Sequence, residues 1–339
     1  MDPLSQGTVG AAFAQSAANK NNIFKIGFIG FIAGLTPDLD VLIQSSTDPI
    51  LSLEYHRQFT HSLFFIPFGS LIVALLIFPL VKRSMSLKTV YFASLLGYAT
   101  HGLLDACTSY GTQLFWPFSN ERVSWNNISI VDPLFTIPVL ILVVIAIRTK
   151  NKIFSFFGIG WIIFYLSLGF VQYERALSAA IELANMRGHN AERLTLKPSF
   201  GNLILWKSIY QHKETFYVDA IRTAQSSTWC LGESIRAFDY QYHLPDLDEG
   251  SQQKNDIERF RWFSQDYLGY DKEKNILTDV RYSMIPNQIS PMWGLIIDVQ
   301  RGINEHAIWW TSRSLDQSQL DLFKDMLKGK KCGNSSLFK

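Results

Sequence analysis

The sequence predicts an α-helical integral membrane domain of about five spans, followed by a soluble α+β domain. Two observations indicate this division. Residues 1–171 carry 10 Lys or Arg and 8 Asp or Glu, whereas residues 172–339 carry 21 of each. Apolar runs near 20 residues, about the length that crosses a bilayer, occur in the first part. We therefore expect a multi-span membrane domain over residues 1–172 and a soluble domain over residues 173–339.

The apolar runs give the expected positions of the spans. Pro37 and two aspartates interrupt the first run. Thr60 is interpreted as an N-cap of the second run. His101 and Asp105 lie in the third run. Residues 3–19 are rich in small residues and predict a short, tightly packed helix. The N-terminus lacks the basic start, compact apolar stretch and cleavage site of a signal peptide. The predicted spans are 23–43, 63–81, 89–107, 131–147 and 153–172.

The positive charges of the short loops predict the orientation of these spans. Lys and Arg accumulate in cytoplasmic loops. Arg57 and Arg122 are the two basic residues of the opposite loops, so loops 44–62 and 108–130 and the C-terminal domain should face outside. The eight residues that mark the cytoplasmic side are Lys20, Lys25, Lys82, Arg83, Lys88, Arg148, Lys150 and Lys152.

Three of the seven histidines and three carboxylates are concentrated in the apolar half of the chain. His101 and Asp105 are four residues apart, which places them on one face of a helix. Imidazole and carboxylate are the usual ligands of zinc, and they also suit manganese and other divalent ions. The charge pattern brings all six candidates to the outer membrane face, and we predict a metal site there. The predicted metal ligands are Asp38, Asp40, His56, His61, His101 and Asp105.

A metal site of this kind would activate water for hydrolysis. Asp40 or Glu54 is the candidate acceptor of the water proton. Arg57 is the candidate for gripping a phosphate or carboxylate of the substrate, with a lipid-headgroup contact as the alternative. A structural polar network between spans is the competing interpretation of the cluster, but ionisable groups at a bilayer usually mark function.

The second half of the chain has the patterns of a soluble α+β fold. A helix is expected over 173–187, and strands over 202–211 and 215–222 around a turn. Further elements are expected near 255–267, 278–285, 292–299 and 315–327. The sequence indicates no chemistry-bearing cluster here. Four isolated histidines are interpreted as surface or packing residues: His189, His212, His243 and His306.

Several motifs resemble the YdjM-like family, whose members are described as membrane-bound, metal-dependent hydrolases. The motifs are Pro37-Asp38-Leu39-Asp40, His56-Arg57-x-x-Thr60-His61-Ser62, Gly97-Tyr98-x-x-His101-x-x-x-Asp105 and Leu114-Phe115-Trp116-Pro117. The resemblance covers about residues 1–140 and implies an inner-membrane protein whose metal or catalytic positions are the six residues above. Gln6 stands where many relatives have a histidine, and shorter relatives lack the extension 172–339. The spacing of His101 and Asp105 is similar, more loosely, to zinc-dependent phospholipases C and P1-type nucleases, which implies a phosphoester substrate, with a lipid phosphoester as one candidate.

Three functions are consistent with these patterns. The first is a membrane-bound hydrolase acting on a phosphoester or lipid-linked molecule, with membrane lipids as its surroundings. The second is a metal- or proton-coupled transporter, although the sequence has one interrupted span and no convincing internal repeat. The third is a non-enzymatic scaffold with a structural metal. Since no basic patch is present, nucleic acid is not an expected partner.

Overall fold

The computed structural model describes residues 1–330 of the chain. In this part the helices are α1 (Pro3–Ser16), α2 (Ile23–Leu35), α3 (Leu51–Tyr55), α4 (Ile66–Val81), α5 (Leu87–Cys107), α6 (Pro133–Thr149), α7 (Ile153–Met186), α8 (Tyr240–His243), α9 (Gln252–Phe263) and α10 (Gln317–Leu327). The strands are β1 (Arg193–Pro198), β2 (Leu205–His212), β3 (Thr215–Thr223), β4 (Ser227–Arg236), β5 (Leu268–Asp271), β6 (Ile276–Asp279), β7 (Trp293–Ile296) and β8 (Ile308–Thr311).

The chain divides into two compact units. The first comprises residues 1–43, 55–171 and 200–202, and the second comprises 44–54, 172–199 and the described residues from 203 onward. The short segment 44–54 therefore packs with the second unit although it lies early in the sequence. The sequence-based boundary between residues 172 and 173 stays a prediction.

A helix lies at each of the five predicted spans, but their lengths differ. Within the described residues, α7 alone is long and apolar enough to cross a bilayer, and a second candidate arises if residues 51–61 and α4 count as one bent span. Helix α2 has 13 residues, which rise about 20 Å against a hydrocarbon core of about 30 Å. It gives way at Thr36 to a 3-10 helix, Thr36–Leu42, with Pro37 in its first turn. The prediction of about five spans is therefore not confirmed.

Helices α1, α2 and α5 pack closely because glycines meet at their crossings. A Cβ atom on Gly10 would lie 2.5 Å from the carbonyl oxygen of Gly30. A Cβ atom on Gly97 of α5 would lie 2.3 Å from the same oxygen. Since real Cβ atoms do not approach this closely, these backbones can touch only where side chains are absent. The expected short, tightly packed helix near the N-terminus is confirmed as α1.

Helix α7 runs without interruption for 34 residues, from Ile153 to Met186. The sequence indicated a span ending near residue 172 and a separate helix over 173–187, so this expectation is corrected. The helix continues because of the local sequence that follows the apolar run. The sequence after the apolar run, Tyr173-Glu174-Arg175-Ala176-Leu177, consists mostly of good helix formers and contains neither proline nor glycine. A change of composition alone does not end a helix.

The second unit contains two antiparallel sheets, β1-β2-β3-β4 and β5-β6-β7-β8. The α+β prediction is confirmed by these sheets and by helices α9 and α10. The hairpin predicted around residue 213 is present, because β2 and β3 pair in register from His212 and Thr215 outward. Lys213 occupies the turn with a left-handed φ of 55°. The strands expected over 278–285 and 292–299 are shorter than predicted.

Two buried lysines face each other across β1 and β2. Lys197 and Lys207 are register partners, and both are at most 5% exposed. The Nζ atom of Lys207 donates to Ser283 Oγ and to the carbonyl oxygen of Gln288, each at 2.7 Å. Burial lowers the pKa of Lys207 to about 7, because removing an ammonium group from water favours its neutral form.

Candidate metal centre

Three segments of the first unit bring five of the predicted ligands together. Asp38 and Asp40 lie on the 3-10 helix Thr36–Leu42, and His61 ends a second one, Phe59–His61. His101 and Asp105 lie on one face of α5, as their spacing predicted. The α5 backbone comes so close to the His61 loop that a Cβ atom on Gly102 would lie 2.1 Å from the His61 carbonyl oxygen.

Four of these residues each place one potential ligand atom within 4.8 Å of the other three. The Nε2 atom of His61 is 3.4 Å from Asp38 Oδ1 and 3.2 Å from Asp105 Oδ2. The Nε2 atom of His101 is 3.3 and 3.6 Å from the same oxygens, and the two nitrogens are 2.9 Å apart. Ligands placed about 2.0–2.1 Å from a zinc ion in a tetrahedron are about 3.3 Å from each other. Five of the six separations in this set of four atoms are therefore close to those of a tetrahedral zinc site.

Hydrogen bonds on the far side of each ring determine which nitrogens face this space. The His101 Nδ1 atom is 2.6 Å from the Gly34 carbonyl oxygen, which can only accept, so Nδ1 carries the proton. The His61 Nδ1 atom lies 3.2 Å from Asp40 Oδ2 and 2.9 Å from Thr60 Oγ1, whose hydroxyl donates to Asp40. In neutral rings both Nε2 atoms then present lone pairs to each other. This arrangement needs a cation, either a metal ion or a proton, and it is the usual second shell of metal-binding histidines.

The Asp40 side chain is hydrogen-bonded to the loop of residues 56–61 and does not face solvent. Its side chain is 3% exposed, and its oxygens accept from His56 Nδ1 at 2.8 Å and from the Arg57 amide and Thr60 Oγ1 at 2.9 Å. With His61 it therefore has four donors. Asp40 and His56 also form a second potential ligand group with Asp38. The engagement of Asp40 favours an orienting role over that of a free proton acceptor.

Arg57 lies inside the centre, and Glu54 lies elsewhere. The Arg57 side chain is buried, with Nε 3.1 Å from Asp105 Oδ2 and its guanidinium group over the ring of Tyr110. Its backbone is left-handed, with φ of 63°, which is uncommon outside glycine. Both oxygens of Glu54 instead accept from Arg259 within the second unit. Of the three predicted catalytic side chains, Asp40 and Arg57 thus lie in the ligand cluster, and Glu54 has a different partner.

The sequence left open whether Gln6 contributes to the site, and the structure places it against the candidate ligands. Its Nε2 atom donates to Asp105 Oδ1 at 2.9 Å, and its buried Oε1 atom has no hydrogen-bond partner among the described residues. The Met1 amine also contacts Asp105. Its position in the motif shared with the resembling family was the signal that could have identified Gln6. Thr60 was also missed as a contact of both Asp40 and His61, since it was interpreted only as a helix cap.

The isolated histidines of the second unit include three with defined partners. His189 and His212 stack in parallel, with ring centroids 4.5 Å apart. His306 Nδ1 is 2.9 Å from Asp256 Oδ2, and the two form a potential ligand group with Asp48. The expectation that this half carries no chemistry-bearing cluster stays a prediction.

The guanidinium group of Arg259 contacts both carboxylates of this group. Burial raises the pKa of Asp48, but hydrogen bonds from Arg259 and the Ile50 amide outweigh it and lower the pKa overall. Hydrogen bonds to Glu54 and Asp48 raise the pKa of Arg259. The cluster is thus an ion-pair network with its own cation.

The chain thus has a helical first unit, with a His/Asp cluster that could hold a metal ion, followed by a sheet-rich part. The sequence model of the family described as YdjM inner membrane protein matches residues 1–176, slightly more than half of the chain. The chain belongs to this family and is a membrane protein.

Comparison with individual proteins adds one relative. The chain is 29% identical over 97 residues to the uncharacterized protein YfhP of Bacillus subtilis (strain 168). The match covers 29% of this chain and 29% of that protein, so it spans less than a third of the relative's length. No solved structure matches the chain.

Proposed function

We propose that the chain is a membrane-bound, metal-dependent hydrolase. Asp38, His61, His101 and Asp105 hold a divalent ion, zinc in the first place and manganese as the alternative. The observation that carries this proposal is the pair of facing Nε2 atoms 2.9 Å apart, each on a ring whose Nδ1 is occupied by an oxygen. A metal ion at the common point of the four ligands accepts both lone pairs, whereas a purely structural network would pair each acceptor with a donor.

The side chains around the ligands suit hydrolysis of a phosphoester. A divalent ion bound there lowers the pKa of a coordinated water and polarises a phosphoryl oxygen. The buried guanidinium of Arg57 would bind the anionic group of the substrate. His56 is held through Nδ1 by Asp40, and its ring centroid is 6.0 Å from that of His61. With Asp40 accepting from Nδ1, the other nitrogen of His56 can take a proton from water.

The surroundings of the centre support a lipid-linked substrate. Leu39 lies between the two aspartates and is 59% exposed, and Leu42 on the same 3-10 helix is 75% exposed. Phe64 and Phe118, both exposed, make an edge-on ring contact near the following turn. Apolar groups beside a polar centre would seat the chains of an amphiphile while its headgroup reaches the ligands.

We also propose that the first unit is multi-pass, with about five membrane-crossing or partly crossing segments. The distribution of Lys and Arg supports an orientation in which the loops after α4 and α6 face the cytoplasm. The ligand-bearing loops and the second unit would then face outside, at the outer surface of the inner membrane.

The decisive experiment is metal analysis of protein purified without chelators. We expect about one zinc or manganese ion per chain in the wild type. The His101→Ala variant should lose that ion and remain folded, whereas His243→Ala, a histidine of the second unit, should retain it. Wild-type protein that is metal-free and does not take up zinc or manganese on titration would overturn the proposal.

A further inference from the structure

Residues 44–54 connect the two ligand-bearing loops, and Arg259 forms ion pairs with two carboxylates of this segment. The NH1 and NH2 atoms of Arg259 are 3.0 and 2.9 Å from the two oxygens of Asp48. Its Nε and NH2 atoms are 2.7 and 2.8 Å from the two oxygens of Glu54. One guanidinium group thus makes paired contacts with a carboxylate in the middle of the segment and with the carboxylate that ends it, a strong hydrogen-bonding geometry for an arginine.

Contacts within the segment and burial of its apolar side chains also fix its conformation. Asp48 Oδ1 also accepts from the amides of Ile50 and Leu51, at 2.9 and 3.2 Å, and so starts the short helix α3. Ile50 is fully buried and Leu53 is 8% exposed. The segment therefore packs as a compact piece of the second unit, and its position depends on that unit.

The covalent link from the held carboxylates to the ligands is short on one side. Glu54 is two positions from His56, whereas Asp48 is eight positions from Asp40. At about 3.3–3.6 Å per extended residue, these links reach at most about 7 and about 29 Å. A displacement of Glu54 is therefore passed on mainly to residues 56–61.

The loop beyond Glu54 is also under conformational strain. Arg57 holds its left-handed backbone while its amide donates to Asp40. Such a residue persists only where its surroundings hold it in place.

We propose that Arg259 is a positioning residue of the metal centre. By holding the Glu54 carboxylate, two positions before His56, it fixes where residues 56–61 begin and so the position of His61 in the ligand set. This proposal rests on the proposed function, because it presupposes that the centre binds a metal ion.

The test uses the full chain loaded with cobalt(II), whose visible absorption reports the number and geometry of its ligands. Arg259→Gln should weaken metal affinity about tenfold or more and alter the absorption bands. Arg261→Gln is the matched control, since Arg261 lies on the same helix and pairs with Glu258 and Asp266 instead. Arg259→Lys, which keeps the charge without the paired contacts, should recover part of the affinity.

The outcomes separate this proposal from the proposed function. If wild type binds no metal, the proposed function fails. If wild type binds metal and folded Arg259→Gln binds it with the same affinity and the same cobalt spectrum, the positioning role is overturned while the metal centre stands. Should Arg259→Gln fail to fold, the double variant Asp48→Asn, Glu54→Gln provides the same readout with Arg259 in place, and unchanged affinity and spectrum there would also overturn the role.

Discussion

At the scale of single residues, the geometry of the centre depends on which ring nitrogen of each histidine already has a hydrogen-bond partner. The Nδ1 atom of His101 donates to the carbonyl oxygen of Gly34, and the Nδ1 atom of His61 lies beside the oxygens of Asp40 and Thr60. The remaining nitrogens must therefore face each other. Asp40 has the largest share in this arrangement, because one carboxylate orients two histidine rings and a backbone amide at once.

The His56→Gln variant separates proton transfer from metal binding. We expect it to retain the wild-type metal content, because the tetrahedral set of four ligands does not include His56. Hydrolysis of a chromogenic phosphodiester should fall about 10²–10⁴-fold, the usual contribution of general acid–base catalysis. Metal content and rate are measured on the same preparation. Loss of bound metal in this variant would place His56 among the ligands instead.

Lys207 should make the stability of the second unit depend on pH. Its pKa is about 7 in the folded chain and about 10.4 in an unfolded one, so between these values the unfolded state binds more protons. The free energy of unfolding should therefore rise from pH 7 toward pH 10, by at most about 1.4 kcal/mol per pH unit from this group.

The measurement is denaturant unfolding across that pH range, followed by tryptophan fluorescence. Lys207→Met should flatten the rise relative to wild type. Lys213→Met, at an exposed turn position, should leave it unchanged. An identical slope in wild type and Lys207→Met would contradict the assignment.

At the scale of elements, α5 carries two ligands and meets its neighbours through glycines. His101 and Asp105 project toward the 3-10 helices, while Gly97 touches the backbone of α2 and Gly102 touches the His61 loop. The ligand geometry is thus set by the distance between backbones as much as by the ligating side chains.

Gly102→Ala tests this dependence. The added methyl group would lie 2.1 Å from the His61 carbonyl oxygen, so the loop must move away from α5. We expect a loss of about 1–3 kcal/mol in stability and a large loss of zinc affinity. Gly160→Ala on α7 is the control, because a methyl group added there would have no described atom within 4 Å. Thermal unfolding and metal titration report both effects, and a fully metal-loaded Gly102→Ala protein would refute the argument.

At the scale of the whole molecule, two compact units share one chain in an interleaved order. The segment 44–54 leaves the first unit and packs with the second, and residues 200–202 do the reverse. Helix α7 carries the chain from one unit into the other without a break. This interleaving makes a simple division of the chain into two independent halves unsuitable for truncation experiments.

The proposed orientation can be measured with reporter fusions. Alkaline phosphatase, which is active only outside the cytoplasm, should be active when fused after residue 330 and inactive when fused after Ser84. A fluorescent protein that matures in the cytoplasm should show the opposite pattern. The positive-inside distribution is the physical reason for this expectation. Active phosphatase at Ser84 together with inactive phosphatase after residue 330 would reverse the orientation.

Local patterns were sufficient for much of the fold and for the ligand set. The four-residue spacing of His101 and Asp105 needed only helical periodicity, and the hairpin of β2 and β3 needed only alternation and a turn. Local patterns did not predict features that depend on contacts between residues distant in sequence. Neither the pairing of Glu54 with Arg259 nor the contact of Gln6 with Asp105 leaves a periodic signal.

The sequence by itself therefore determined the family, the helical and mixed halves of the chain, and which histidines and aspartates to examine. Tertiary structure alone decided that Asp40 orients its neighbours, that Glu54 belongs to an ion-pair network, and that two imidazole nitrogens face each other at 2.9 Å. The physical reason is that periodicity and composition act over neighbouring residues. Ligand geometry instead depends on residues 40 and 67 positions apart, brought together by glycine contacts and buried hydrogen bonds.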